Sequence, residues 1–293
     1  MDERPVYFLA GRLSDTLPAA AARYRHVLVA TNEMLEGPDA VAGEQFLAGA
    51  IERGNSVFLD SGIFWLTNQH KRAHNMTMDQ ALSLHPDEID GFDHLFTRYV
   101  ELCKRWGDRV WGYVELDQGG RERKRETRAR LEALGLAPIP VYHPLNDGAD
   151  YLDELMATYD RICFGNIVQA NRHDRTKLLL LLAEAKRRHP DVWVHVLGLT
   201  PSDQSVSMPS DSADSSAWVT ALRWHRSERA SSMLRRVSGF DRNHAYEIGN
   251  VEQTAQAIDW CVSAYTSHAL NWRAILEHER TALGIDPWEG SPA

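Results

Sequence analysis

The feature that most restricts the fold is a repeated pairing. A short, continuous apolar run stops at an acid or a small residue, and a helical segment follows. Pro5-Val6-Tyr7-Phe8-Leu9-Ala10-Gly11, His26-Val27-Leu28-Val29-Ala30 and Ser56-Val57-Phe58-Leu59-Asp60-Ser61-Gly62 begin the series. Runs over 110–117, 139–143, 161–165 and 192–197 continue it, and a short strand delivering Asp214 to its end closes it. Apolar runs without polar alternation suit parallel strands buried on both faces. Helices are predicted over 91–106, where Phe92, Leu95, Tyr99 and Cys103 recur at helical spacing, and over 121–134, 150–159 and 174–189. About eight strands in roughly 220 residues, joined by short connections, predict an α/β fold and favour a closed (β/α)8 TIM barrel over an open sheet.

The predicted organisation is a single domain over 1–293, with the barrel at about 5–240 and C-terminal helices at about 250–284. Ala257, Cys261, Ala264, Tyr265 and Leu276 form the apolar stripe of that helical segment. One stretch resists the pattern. Residues 64–90 show no clean period and read as a long loop with a short helix, the kind of connection that often carries function.

The 293 residues can bury a full core, and 43% hydrophobic with 25% charged residues is ordinary for a globular chain. No apolar run approaches the ~20 residues needed to span a bilayer. Cys103, Cys163 and Cys261 are widely spaced and form no CxxC pair, so a reducing, cytoplasmic setting is expected. The formal charge of -9 argues against broad phosphate-driven binding of nucleic acid but leaves room for a local basic face.

Asp60, Asp117, His143, Gly165, Gly198 and Asp214 all fall at C-terminal ends of predicted strands. In a barrel those ends converge on the face where active sites form. Carboxylates gathered there repel one another, which raises at least one pKa unless something binds them. The spacing of these His and Asp residues offers no short-range ligand pair, so no metal is expected. Each residue also has a plainer reading. Asp214 can cap the helix that follows, a role also open to Ser215 or Ser216. Asp60 can close its own turn, Asp117 can pair with Arg121 or Arg123, and His143 and His195 can be hydrogen-bonded core residues. The run Arg121, Arg123, Lys124, Arg125, Arg128 and Arg130 reads as a solvated helix face pairing with Glu122, Glu126 and Glu132. Arg223, Arg226, Arg229, Arg235 and Arg236 enclose only Glu228 and are the preferred phosphate-contacting, nucleic-acid-binding patch.

Several of these segments, in order, resemble the tRNA-guanine transglycosylase superfamily. Val57-Phe58-Leu59-Asp60-Ser61-Gly62 is similar to its DSGG/DSGA motif, and Val196-Leu197-Gly198-Leu199-Thr200-Pro201 looks like its LMGVGTP strand and turn. Asp211-Ser212-Ala213-Asp214-Ser215 takes the place of its VDMFDC nucleophile motif. Tyr113-Val114-Glu115-Leu116-Asp117 and Phe164-Gly165-Asn166 fall where the family has its base-recognition aspartate and glycine-rich wall. The departures are as informative. The CxCxxC…H zinc module of the tRNA enzymes has no counterpart, since Cys261 is the sole cysteine beyond Asp214, and the PTR segment is missing. His143 stands where a QGG is expected, and Gln118-Gly119-Gly120 comes one strand early. The shorter form most resembles the phage and bacterial DpdA branch, which inserts 7-deazaguanine derivatives into DNA.

The resemblance implies that Asp214 is the nucleophile at the sugar C1′ and Asp60 the acid and then base. It implies that Asp117 reads the base edge, and that His143, Gly165, Asn166, Gly198, Ser61 and Gly62 complete the substrate site. It implies no cofactor and no structural zinc. The partners it implies are DNA, a free 7-deazaguanine base and a helicase or other strand-opening protein, in a cytoplasm that is the host's if the chain is phage-encoded. A tRNA-directed enzyme and a non-catalytic barrel that binds nucleic acid or a partner remain open alternatives.

Overall fold

The structure is a computed structural model, and it describes residues 5–13, 17–167, 172–199, 209–219, 252, 254–266, 274 and 278. Its architecture is α/β. In chain order the elements are β1 (Val6–Ala10), α1 (Leu17–Ala21), β2 (His26–Ala30), α2 (Gly37–Glu52), β3 (Ser56–Asp60) and α3 (Ile63–Ala73). Then come α4 (Met78–Ser83), α5 (Phe92–Trp106), β4 (Gly112–Tyr113), α6 (Gly120–Ala133), β5 (Val141–Tyr142) and α7 (Ala149–Thr158). β6 (Arg161–Phe164), α8 (Arg172–Arg188), β7 (Trp193–Val196) and β8 (Ser212–Ser215) complete the series, and residues 254–266 are helical. Among the described residues no helix is long and apolar enough to cross a membrane.

By internal contacts the chain divides into two compact units. The unit Ala10–Val141 holds β4, β3 and β2 in that lateral order. Its strands are parallel, with Ala30 opposite Asp60 and Leu59 opposite Tyr113. Val27, Val29, Val57, Phe58 and Leu59 of the strands are fully buried, as are Leu47 of α2 and Leu95 and Tyr99 of α5. The other unit, Met1–Leu9 with Tyr142–Ala293, orders its strands β1, β8, β7, β6. These too are parallel, with Phe8 opposite Asp214, Val196 opposite Ala213 and Phe164 opposite Val196. The 254–266 helix anchors on this unit. Tyr265 lies 5.2 Å from the Tyr7 ring, its hydroxyl lies 2.9 Å from Ser210 Oγ, and Ala257 and Cys261 are buried beside it.

Residues 64–90 are not a long loop. α3 and α4 occupy most of them, and a Thr77–Gln80 capping box starts α4. α3 buries Ile63, Leu66, Thr67 and His70. That is a regular helical stripe, but polar residues fill half of it and hide the period. The predicted strands over 110–117 and 139–143 shrink to Gly112–Tyr113 and Val141–Tyr142, with a single parallel bridge between Val114 and Ile139. Pro140 has no N–H to extend the second ladder.

Candidate functional site

Asp214 is set near the end of β8, and its side chain is nearly buried at 9% exposure. Gly198 N–H donates to Asp214 Oδ1 at 3.0 Å, and His195 Nε2 lies 3.1 Å from the same oxygen. The other ring nitrogen, His195 Nδ1, is 2.8 Å from Ser212 Oγ, which also accepts from Trp193 Nε1 at 2.7 Å. An indole nitrogen can only donate, so the serine proton is available to His195 Nδ1. Nε2 then carries the imidazole proton and donates to the carboxylate, an assignment made from the network. Among the described residues the chain of donors runs Trp193, Ser212, His195 and ends on Asp214 as the acceptor.

This geometry follows from register. Parallel pairing puts His195 opposite Ser212, and the alternation of β8 puts Ser212 and Asp214 on one face. Gly198 has φ 68°, a left-handed turn that aims its N–H at the carboxylate and that a side chain would strain. The cap at the next helical turn is Ser215, whose Oγ accepts from Ala217 N at 2.9 Å. Asp214's own bonds go to His195 and Gly198 instead. His195 was legible in the sequence only as a core histidine. The signal that singles it out is the Ser-x-Asp of β8 beside a strand histidine.

The same unit holds His143, Gly165 and Asn166 just beyond β5 and β6. His143 is buried, and its N–H donates to Asp147 Oδ2 at 2.7 Å. Gly165 N–H donates to Tyr142 O at 2.9 Å. Asn166 turns left-handed at φ 62°, and its amide donates to Asn146 Oδ1 at 3.0 Å.

Asp60, Ser61, Gly62 and Asp117 belong to the unit Ala10–Val141. Asp60 ends β3, half-buried, and Gly62 N–H donates to its Oδ1 at 2.6 Å while Thr31 Oγ1 donates to its carbonyl at 2.9 Å. The carboxylate therefore closes its own turn, as the plainer reading expected. Gly62 starts α3 at φ 78°, and a Cβ there would come within 2.7 Å of Asn32 N. Ser61 is buried beside it. Next to this turn Asn32, Glu33, Leu35, Leu13 and Trp65 line a cavity of about 270 Å³. Asp117 is half-buried beyond β4, on a segment fixed by Gln118. The Gln118 amide donates to Ala81 O at 2.7 Å, and its oxygen accepts from Thr67 Oγ1 at 2.9 Å.

α6 departs from the expected solvated face. Arg121 and Arg125 pair with Glu122, and Arg123 pairs with Glu126, as expected. Lys124 and Arg128, however, turn inward and are buried. Arg128 reaches Glu115 Oε2 at 3.0 Å, and Lys124 donates to Val141 O at 2.9 Å. Burial pushes the Glu115 carboxyl up to about 7 against the pull of Arg128 and Lys124. Arg223, Arg226, Arg229, Arg235 and Arg236 lie outside the described residues. A comparison with models of known protein families found no match, and no curated protein compared with the chain matches it.

Proposed function

We propose that this chain is a (β/α)8-barrel transglycosylase that exchanges guanine for a 7-deazaguanine derivative in DNA. The observation that carries the reading is the state of Asp214. The residue that the family resemblance makes the nucleophile is a buried carboxylate near a parallel strand's C-terminal end, oriented by His195 and Gly198. On this reading an Asp214 oxygen bonds to the sugar C1′ as the bond to guanine breaks, through an oxocarbenium-like transition state that the anion stabilises. Asp60 gives a proton to the departing guanine. It then takes one from the incoming deazapurine, which attacks C1′ and releases Asp214. Asp117 accepts from the paired N–H donors of the base, and Gly165 lets backbone approach it. His143, Asn166, Ser61 and Gly62 fill out the pocket. The target nucleotide leaves the base stack at a cost of roughly a few kcal/mol. Arg223, Arg226, Arg229, Arg235 and Arg236 hold phosphates, and a strand-opening partner frees the target strand from the duplex.

DNA is preferred to tRNA because the sequence beyond Asp214 has one cysteine, too few for the zinc module of the tRNA enzymes. The bond from Gly62 to Asp60 favours a second reading, a barrel that binds nucleic acid or a partner without exchange. Nucleoside mass spectrometry of DNA from cells with and without the protein tests the proposal. A 7-deazaguanine nucleoside that depends on the protein supports it, and unmodified DNA in both cultures contradicts it.

A further inference from the structure

His70 in the last turn of α3 and His74, the residue that caps its C-terminus, stand one turn apart, with ring centroids 4.2 Å apart. Both direct a nitrogen at one oxygen. His74 Nε2 lies 2.7 Å and His70 Nδ1 3.2 Å from Asp90 Oδ2, and Asp90 directly precedes the left-handed Gly91 that starts α5. His70 Nδ1 is also 3.1 Å from the Asp90 backbone N–H, which donates to it. The single in-plane lone pair of a neutral Nδ1 is taken by this N–H, so that nitrogen has no proton to give Asp90 Oδ2, and the two atoms sit 3.2 Å apart without a hydrogen bond between them. A cation held by both atoms replaces that contact with two bonds. In tetrahedral zinc sites, bonds of about 2.0–2.2 Å hold ligand atoms roughly 3.3–3.6 Å apart. The 3.2 Å from His70 to Asp90 is close to that, and the 2.7 Å from His74, a hydrogen-bond distance, lengthens when an ion enters.

We propose that His70, His74 and Asp90 form a divalent transition-metal site that ties α3 to the start of α5. Two imidazoles and one carboxylate are the donor set of zinc and its borderline neighbours, not of calcium or magnesium. His70 is nearly buried, whereas His74 and Asp90 are 49% and 67% exposed, so the site opens to solvent and leaves a position for water. When the metal binds, the Nδ1 lone pair goes to the ion and the Asp90 N–H turns to solvent. The sequence signal is a His-x-x-x-His pair on one helix, inside the stretch without a hydrophobic period. The site does not depend on the proposed base exchange.

Cobalt and zinc test it directly. The full chain, stripped with chelator and dialysed, should take up one Co²⁺ with visible absorption bands of a four- or five-coordinate ion, and Zn²⁺ should displace it. His74→Ala and Asp90→Asn change exposed groups, so both variants should keep the wild-type circular dichroism. Each should weaken binding by more than the roughly 10- to 100-fold that loss of an outer-shell partner costs. Absence of the bands overturns the proposal. So does a spectrum unchanged in His74→Ala, which would place the ion elsewhere.

Discussion

His195 Nε2 lies 3.1 Å from Asp214 Oδ1, and both groups are buried. A carboxylate so placed is held by its neighbours rather than by water, and its direction is set by an imidazole that Ser212 and Trp193 orient in turn. On the proposed mechanism His195 positions the nucleophile. His195→Ala should slow adduct formation by about 100-fold, the scale of a misplacement near 1 Å. His195→Gln, which can still donate, should recover part of the loss. Rapid-quench measurement of the covalent species checks both, and an unchanged rate in His195→Ala would separate the histidine from the reaction.

Gly62 and Gly54 both have positive φ, 78° and 82°, but only Gly62 also meets a neighbour, Asn32 N at 2.7 Å from a built Cβ. Gly54→Ala should cost only the left-handed backbone strain, about 1–2 kcal/mol. Gly62→Ala should cost more and should move Asp60, whose carboxylate holds the Gly62 N–H. Thermal melts of the two variants make the comparison.

Arg128 and Glu115 form a buried ion pair, with Lys124 close by. Burial raises the Glu115 carboxyl to about 7, above the ~4.3 of an unfolded chain. Between those values the folded state holds a proton that the unfolded state has lost. Glu115's contribution to stability is therefore complete below ~4.3 and is lost as pH rises through 7. Arg128→Met should destabilise by about 3–5 kcal/mol at pH 8, where a carboxylate loses its partner, and by less at pH 5. Urea unfolding at both values reads the difference.

All three cysteines are buried, and burial pushes the Cys103 thiol up to about 12. The thiolate is the reactive form, so the native protein should not react with a chromogenic disulfide at neutral pH. The urea-unfolded chain should release three equivalents. Fast labelling of the native state would contradict the burial.

The strand–helix alternation was legible because β1, β2, β3, β6 and β7 are continuous apolar runs. Of the helices that escaped notice or were assigned the wrong inner face, α2 buries Ala40, Gly43, Leu47 and Ala50, mostly small residues that give little apolar contrast, and α3 and α6 carry polar residues on the buried side. Thr67 and His70 line α3, and Lys124, Thr127 and Arg128 line α6 beside Leu131. Those groups are buried because partners such as Gln118, Asp90, Glu115 and Val141 satisfy them, and partners far along the chain leave no local pattern. The strand-end acids were legible one by one. The His195–Ser212–Asp214 arrangement was not, since it exists only through the register between β7 and β8.

The central claim is that Asp214 bonds to the sugar, and trapping tests it most directly. Wild-type protein is incubated with guanine-containing single-stranded DNA and quenched in denaturant. The account predicts a protein–DNA adduct that survives denaturation, maps to the peptide containing Asp214, and disappears when free 7-deazaguanine base is added. Asp214→Asn should fold normally and form no adduct. An adduct of equal yield in Asp214→Asn, or none with wild-type protein under conditions where it binds the strand, would contradict it.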